Sequence, residues 1–115
     1  MSILFVADPT IHRLNAQYRG KDKPTDVLSF SQLEGESGGV MPSSLGDVVI
    51  SVDTARRQAR EYGVTHRRET LRLLVHGILH LCGFDHENVP LRRVREMQRM
   101  EDYLFERAAH AADRW

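Results

Sequence analysis

Hydrophobic residues recur along this chain both in short runs and in longer stretches with a spacing of three or four positions. The short runs are bounded by turn residues and predict three strands, whereas the longer stretches predict four helices. The strands are expected at residues 2–7, 26–30 and 46–52. The helices are expected at residues 8–20, 53–63, 65–83 and 90–111. Between them, residues 32–45 are rich in Gly, Ser and Glu, which predicts a surface loop.

The order of these elements, β-α-β-β-α-α-α, indicates an α+β fold. Because most helices follow the strands, we expect one small mixed sheet of about three strands, covered by helices. The third helix has the broadest apolar stripe, so it is expected to be central, with Cys82 as a buried thiol. That stripe consists of Leu71, Leu74, Val75, Ile78, Leu79 and Cys82. The packing face expected on the last helix consists of Leu91, Val94, Met97 and Leu104, with Met100 as further core filling.

Capping residues predict where the helices begin and end. Asp8, Asp53 and Thr65 stand where an N-cap side chain is expected, and Pro9 suits a first helical turn. Glycine tolerates the left-handed backbone that commonly ends a helix. The glycines expected in this role are Gly20, Gly63 and Gly83.

Length and charge restrict the class of protein. A chain of 115 residues suits one domain with a modest core, and its formal charge of zero means that any anion must be bound by local clusters. A single cysteine excludes an intrachain disulfide and fits a reducing compartment. No apolar run reaches the roughly 20 residues that span a membrane, and no basic segment precedes the first apolar run. We therefore expect a cytoplasmic protein with no membrane partner and no signal peptide.

The strongest chemical signal is the spacing of His76, His80 and His86. An interval of four residues puts the first two on one face of a helix, about 6 Å apart along its axis. If Gly83 ends that helix, the chain can turn back and bring His86 to the same point. Three histidines with an open fourth position describe a catalytic zinc site rather than a structural one, with one Zn²⁺ expected per chain. Nickel, cobalt and copper also accept such ligands.

This spacing resembles the metzincin signature H-E-x-x-H-x-x-G-x-x-H, with one difference. Gly77 replaces the glutamate that serves those proteases as general base. Glycine cannot accept a proton, and in a helix interior it costs about 1 kcal/mol relative to alanine. We therefore expect close packing or substrate approach at Gly77, and the pattern favours a metal hydrolase whose substrate is not a peptide.

Arg19, Lys21 and Lys23 form a basic turn before the second strand. Composition alone is typical of a solvated turn, but the planar guanidinium of an arginine also suits a phosphate clamp. Further arginines precede the histidines, and the simplest interpretation is that they form the solvent-exposed faces of two helices. Some of them could instead line a groove for a nucleic-acid backbone. These further arginines are Arg56, Arg57, Arg60, Arg67, Arg68 and Arg72.

Metal-bound histidines usually donate their second ring N–H to a carboxylate or carbonyl group. Asp85 adjoins His86 and is the first candidate for this role, although a turn or capping role also fits it. Asp47, at the start of the third strand, is a weaker candidate.

Three blocks of the sequence together resemble the YbeY family of bacterial zinc-dependent endoribonucleases, which act in ribosomal RNA maturation. The first is the histidine motif itself, HGILHLCGFDH at residues 76–86, and the second is YRGKDKPTDVLSF at residues 18–30. The third is LGDVVI at residues 45–50. The blocks occur in the right order and are highly specific, and the resemblance as a whole covers nearly the whole chain.

The resemblance implies that His76, His80 and His86 hold zinc and that Arg19 is the functionally important arginine. It also implies a single-strand-specific endoribonuclease that matures the 3′ end of small-subunit rRNA and takes part in ribosome quality control. Its partners would be ribosomal RNA and the small subunit with its proteins, without specificity for DNA. Family members usually carry a further strand and helix before the segment matching residues 2–7. Residues 1–115 are therefore expected to form one catalytic domain that is short at its N-terminus, with an exposed sheet edge that invites pairing.

The mechanism expected from these residues is metal-assisted phosphodiester hydrolysis. Arg19 would stabilise the charge on the phosphate, while Lys21 and Lys23 would position the RNA backbone without reading its sequence. Two other functions remain open. One is a metal-dependent hydrolase of peptides or small molecules, and the other is a ribosome-associated module with a structural metal.

Overall fold

The computed structural model describes residues 1–31, 46–83 and 90–112. These segments contain three strands and four helices in the predicted order. The strands are β1 (Ser2–Val6), β2 (Val27–Ser31) and β3 (Gly46–Ser51), and the helices are α1 (Asp8–Arg19), α2 (Val52–Tyr62), α3 (His66–Leu81) and α4 (Leu91–Ala112). The α+β fold class is confirmed, whereas the loop predicted at 32–45 lies outside the described residues.

The central strand of the sheet is β3, because the strand order is β1-β3-β2. Strand β1 runs parallel to β3, with Ser2 opposite Asp47, and β2 runs antiparallel to it, with Val27 opposite Ile50. The sheet is therefore mixed, as predicted. Its order was not predictable from the sequence, because parallel pairing joins segments 45 residues apart without any local signal.

Helices cover both faces of the sheet. Alternate residues of a strand point to opposite faces, so Val48 and Ile50 pack with Leu73 of α3, while Val49 packs with Ile11 of α1. Helix α4 lies against α3 on the side of Val75 and Leu79, and Met97 of α4 is buried against these two residues. Helix α3 is therefore the central helix, as predicted, since it contacts the sheet, α2 and α4.

The starts of α1 and α2 depart from the predicted caps. Ala7 occupies the N-cap position of α1, and Ser51, whose hydroxyl accepts from the Thr54 N–H, caps α2. Asp53 instead accepts a backbone N–H at the start of α1, whereas Asp8 accepts from the hydroxyl of Ser51, the residue that caps α2. The Asp8 N–H donates to the Asp53 carboxylate at 2.8 Å, and the Asp8 carboxylate accepts from the Ser51 hydroxyl at 2.5 Å. Sequence spacing cannot reveal such contacts, because their partners come together only in the fold.

The remaining helix ends agree with prediction. The Thr65 hydroxyl accepts from the Arg68 N–H at the start of α3. The three glycines expected at helix ends all have positive φ. They are Gly20 at 69°, Gly63 at 66° and Gly83 at 95°.

Several predictions of burial were wrong. Cys82 is exposed, because α3 ends at Leu81 and the next residue no longer packs on the sheet. Leu73 and Leu81 are buried although neither was placed in the apolar stripe, because α3 is covered on more than one side. On α4, Met97 is buried as predicted, but Leu91 and Met100 are 63% and 40% exposed.

Strand β1 forms one edge of the sheet and exposes apolar side chains. Ile3, Leu4 and Phe5 are 38%, 48% and 56% exposed. A short apolar run of this kind predicts a buried strand, and that prediction was wrong. The exposed sheet edge was expected and is typical of a strand that can pair further. Within the described segments, no helix is both long and apolar enough to cross a membrane.

Candidate metal centre

His76 and His80 face each other on the last two turns of α3. Their Nε2 atoms lie 3.0 Å apart, and their ring centroids are 4.6 Å apart with an angle of 67° between the planes. Both side chains are partly buried. The predicted convergence of the two imidazoles is therefore present, and it follows from their spacing of four residues on one helix face.

The separation of the two nitrogens fits a shared metal ion. Two nitrogens bound at about 2.0–2.1 Å to one tetrahedral zinc ion are roughly 3.3 Å apart, close to the distance observed between the Nε2 atoms. Neutral imidazole nitrogens are also among the ligands that zinc prefers. The pair therefore suits two of the three ligands that the sequence predicted.

The third predicted ligand, His86, and the candidate orienting residue Asp85 lie outside the described residues. Within residues 1–31, 46–83 and 90–112, no group of three or more His, Cys, Asp or Glu side chains is arranged to hold a metal. The full ligand set of three histidines therefore stays a prediction.

Glu101 of α4 provides the carboxylate that contacts His76. Its Oε2 atom lies 2.9 Å from Nδ1 of His76, and the glutamate is only 7% exposed. Burial would raise the pKa of Glu101, but the hydrogen bond and charge of His76, with the charges of Arg72 and His80, lower it below its usual range. The carboxylate is therefore held in its ionised form at neutral pH.

The second oxygen of Glu101 faces Arg72. The distance from Oε1 of Glu101 to Nη1 of Arg72 is 3.9 Å. The same guanidinium donates two hydrogen bonds to the carboxylate of Glu69, from Nε at 2.9 Å and from Nη2 at 2.5 Å. Glu69 is 1% exposed, and its hydrogen bond to Arg72 raises the pKa of that guanidinium. A line of polar contacts thus runs from Glu69 through Arg72 and Glu101 to His76.

Glu101 was missed in the sequence, although one signal was available. It lies four residues after Met97 and three before Leu104, which is the spacing of a single helix face. A carboxylate in the middle of an apolar stripe is rarely buried unless it has a partner. Asp47, the weaker sequence candidate for this role, instead accepts a hydrogen bond from the Ser2 hydroxyl.

Arg19 reaches the same region through Ser29 of β2. Its guanidinium donates to the Ser29 carbonyl and lies 5.7 Å from the centre of the Phe30 ring. The Ser29 hydroxyl in turn donates to the carbonyl of Gly77 at 2.9 Å. One serine therefore contacts both the predicted catalytic arginine and the residue that follows His76.

Lys21 and Lys23 lie in the turn that follows Arg19, and both are exposed. Buried Asn15 fixes this turn, since its side chain donates to the Lys23 carbonyl at 2.8 Å and its own carbonyl accepts from the Lys21 N–H. The turn is thus rigidly joined to α1, a role for Asn15 that sequence analysis did not identify.

Comparison with known families gives a match along almost the whole chain. The family model described as Endoribonuclease YbeY matches residues 1–109. A protein named Endoribonuclease YbeY from Pelotomaculum thermopropionicum is 51% identical over 109 residues, covering 93% of this chain and 70% of the relative. The protein of the same name from Aquifex aeolicus is 48% identical over 111 residues, covering 96% of this chain and 71% of the relative.

A solved structure shares the fold. TM1509 from Thermotoga maritima, determined in solution, superposes with a TM-score of 0.54 at 26% sequence identity. The match covers 95% of this chain and 70% of the other. The arrangement of sheet and helices described above is therefore similar to that of a known structure.

Proposed function

The chain belongs to the endoribonuclease YbeY family, and from this membership we propose that it is a zinc-dependent endoribonuclease. Its proposed substrate is single-stranded ribosomal RNA, chiefly at the 3′ end of the small-subunit rRNA. A part in ribosome quality control, contact with the small subunit and its proteins, and a cytoplasmic location complete the proposal.

The observation that carries the proposal is the convergence of His76 and His80 on a helix to which Ser29 connects Arg19. The Nε2 atoms of the two histidines are 3.0 Å apart, which suits two ligands of one metal ion, and the Ser29 hydroxyl contacts their helix at Gly77. Cation ligands next to a phosphate-binding side chain suit phosphodiester cleavage better than either feature alone.

The residues proposed to hold zinc are His76, His80 and His86. Bound there, the metal would act as a Lewis acid that eases deprotonation of water near neutral pH and polarises a phosphate oxygen. The protein supplies the remaining functions. Glu101 contacts Nδ1 of His76. Helix α3 packs against the sheet, and His76 and His80 share one face of this helix.

Arg19 is proposed to contact the phosphate on which charge develops. One of its N–H groups donates to Ser29, and a guanidinium carries five such donors, so others remain for phosphate oxygens. The contact with Ser29 and the stacking on Phe30 hold the group in place before substrate arrives, which favours electrostatic stabilisation. Lys21 and Lys23, on the turn fixed by Asn15, would bind neighbouring phosphates.

Metal analysis paired with cleavage of a defined rRNA precursor tests this function. Wild-type protein should contain about one zinc per chain and cleave the precursor near its mature 3′ end. The variant His80→Ala should lose both properties, while His110→Ala, which changes an exposed histidine on α4, should keep both. Zinc-loaded wild-type protein that leaves the precursor intact, or equal cleavage by the His80 variant, would contradict the proposal.

A further inference from the structure

The two oxygens of Glu101 have different partners, and this asymmetry fixes the carboxylate. Oε2 lies 2.9 Å from Nδ1 of His76, while Oε1 faces the guanidinium of Arg72 at 3.9 Å. The glutamate is 7% exposed, so little water competes for either oxygen. An ionised carboxylate can only accept hydrogen bonds. Its neighbour Nδ1 must therefore be the ring nitrogen that carries the proton.

A proton on Nδ1 decides what the other nitrogen of His76 can do. In a neutral imidazole, one nitrogen bears hydrogen and the other has the lone pair. With hydrogen on Nδ1, the lone pair is on Nε2, which is the atom that faces Nε2 of His80 at 3.0 Å. The contact from α4 therefore selects the tautomer in which His76 can donate electrons at the point where the two rings meet.

We propose that Glu101 is the positioning residue of His76, holding its ring and its tautomer so that Nε2 is ready to bind a metal ion. This inference rests on the proposed function for the location of the metal centre, and it assigns a part of that centre to α4. The catalytic histidines lie on α3, whereas the group that prepares one of them lies 25 residues later in the chain.

Arg72 and Glu69 keep Glu101 from turning away. The bidentate contact with buried Glu69 fixes the guanidinium of Arg72, whose Nη1 atom then attracts the free oxygen of Glu101. Glu69, Arg72 and His76 are spaced three and four residues apart, so they share one face of α3. Packing of Met97 against Val75 and Leu79 brings α4 to that face.

The test measures zinc affinity by competition with a chromophoric chelator, without RNA. Glu101→Gln keeps the shape of the side chain and removes its charge. Glu96→Gln makes the same chemical change at an exposed position of the same helix and is the matched control. Loss of an orienting partner typically weakens metal binding about 10–100-fold, so this loss is expected for Glu101→Gln, with less than about a twofold change for Glu96→Gln.

A second measurement reports the tautomer of His76 directly. In metal-free protein above the pKa of histidine, ¹⁵N–¹H NMR spectra report which nitrogen of each ring carries hydrogen. His76 of the wild type should carry it on Nδ1, and Glu101→Gln should reduce that population while circular dichroism stays unchanged. A residue that merely fills space would leave the tautomer as it was.

Two results would overturn the inference: hydrogen on Nε2 of His76 in the wild type, or zinc affinity of Glu101→Gln within about twofold of the wild type. Neither depends on RNA cleavage. If the wild type binds zinc through His76 but never cleaves RNA, the proposed function fails while the assignment of Glu101 stands.

Discussion

Gly77 lies so close to Val48 that a β-carbon added at position 77 would be 2.7 Å from the Cγ1 atom of the valine. The side chains of Ser29 and Val27 would each lie 3.3 Å away. Gly77, the residue that follows His76, therefore faces the sheet. Of the two explanations that the sequence allowed for this glycine, close packing is the one supported by the structure.

The same contact bears on the peptidase alternative. In the metzincin motif the corresponding position carries the general base. Here that position points into the packed layer between α3 and the strands, where a carboxylate would have no room. The geometry therefore favours a hydrolase that does not use a glutamate at position 77.

Gly77→Ala is expected to lower the free energy of unfolding by up to about 2 kcal/mol. Overpacking a core usually costs about 1–3 kcal/mol, and the better helix propensity of alanine returns only about 1 kcal/mol. Val48 is fully buried and β-branched, so it cannot easily move aside. Urea denaturation of the two proteins measures the difference.

A double-mutant cycle with Val48→Ala is the control for this prediction. In that background the space taken by Cγ1 is empty, so Gly77→Ala should cost at least about 1 kcal/mol less than in the wild type. Additive effects of the two substitutions would show that the contact with Val48 is not what excludes a side chain.

Much of the local structure was predictable, because its causes are local. Gly20 and Gly63 end helices since each can adopt the left-handed conformation, and a sequence shows where such residues are. The contacts of Asp53 with the start of α1 and of Asp8 with the Ser51 hydroxyl were not predictable, because their partners are 45 and 43 residues apart in the chain. The order of the strands was not predictable either, because β1 pairs with β3 across about 45 residues.

In the candidate site, too, contacts within one helix could be predicted and contacts between distant elements could not. The pairing of His76 with His80 follows from one interval on one helix, so it could be predicted. The contacts of Glu101 with His76 and of Ser29 with Arg19 depend on how α4 and β2 pack beside α3 and α1, which no spacing reveals. Only the position of a carboxylate on an apolar face hinted that Glu101 had a partner.

Arg19→Ala is expected to reduce RNA cleavage by about 100–1,000-fold while zinc content stays at the wild-type value. This range is typical of removing one donor that stabilises developing charge. The arginine is exposed, and the contact described between it and α3 runs through Ser29, so its loss should not disturb the histidines. Single-turnover cleavage and metal analysis of the same preparation provide the two measurements.

Arg13→Ala is the matched control, because Arg13 is another exposed arginine of α1. It should cleave RNA at nearly the wild-type rate. Arg19→Lys should recover only part of the activity, since an ammonium group lacks the planar fork of a guanidinium. A parallel loss of zinc and activity in Arg19→Ala would instead indicate a structural role.

His86→Ala is expected to weaken zinc binding by at least about 100-fold, because it removes a direct ligand. Loss of a residue that only orients a ligand typically weakens binding about 10–100-fold. Chelator competition on metal-free protein gives the affinity. His12→Ala removes a histidine that pairs with Asp22, away from α3, and should leave zinc affinity unchanged. Unaltered zinc binding by His86→Ala would refute the three-histidine ligand set.

Asp8 should make stability depend on pH in the acid range. Burial tends to raise the pKa of Asp8, but hydrogen bonds from Ser51, Thr54 and Arg57, together with the charge of Arg57, outweigh this effect, so the pKa lies below its ordinary value of 3.8. A carboxylate with a lowered pKa in the folded state stabilises the protein above the unfolded pKa, and this contribution is lost as pH falls through the folded value.

Asp8→Asn is therefore expected to be less stable than the wild type at pH 7, because an amide removes the charge paired with Arg57 at 2.9 Å. The difference in the free energy of unfolding should persist down to about pH 5 and shrink progressively below pH 3.8. Urea denaturation at several pH values gives this difference directly. Glu61→Gln, at an exposed position near the end of α2, is the control and should show no comparable trend. A difference between Asp8→Asn and the wild type that stays constant from pH 7 to pH 2 would mean that the hydrogen bonds of Asp8, rather than its charge, stabilise the start of α2.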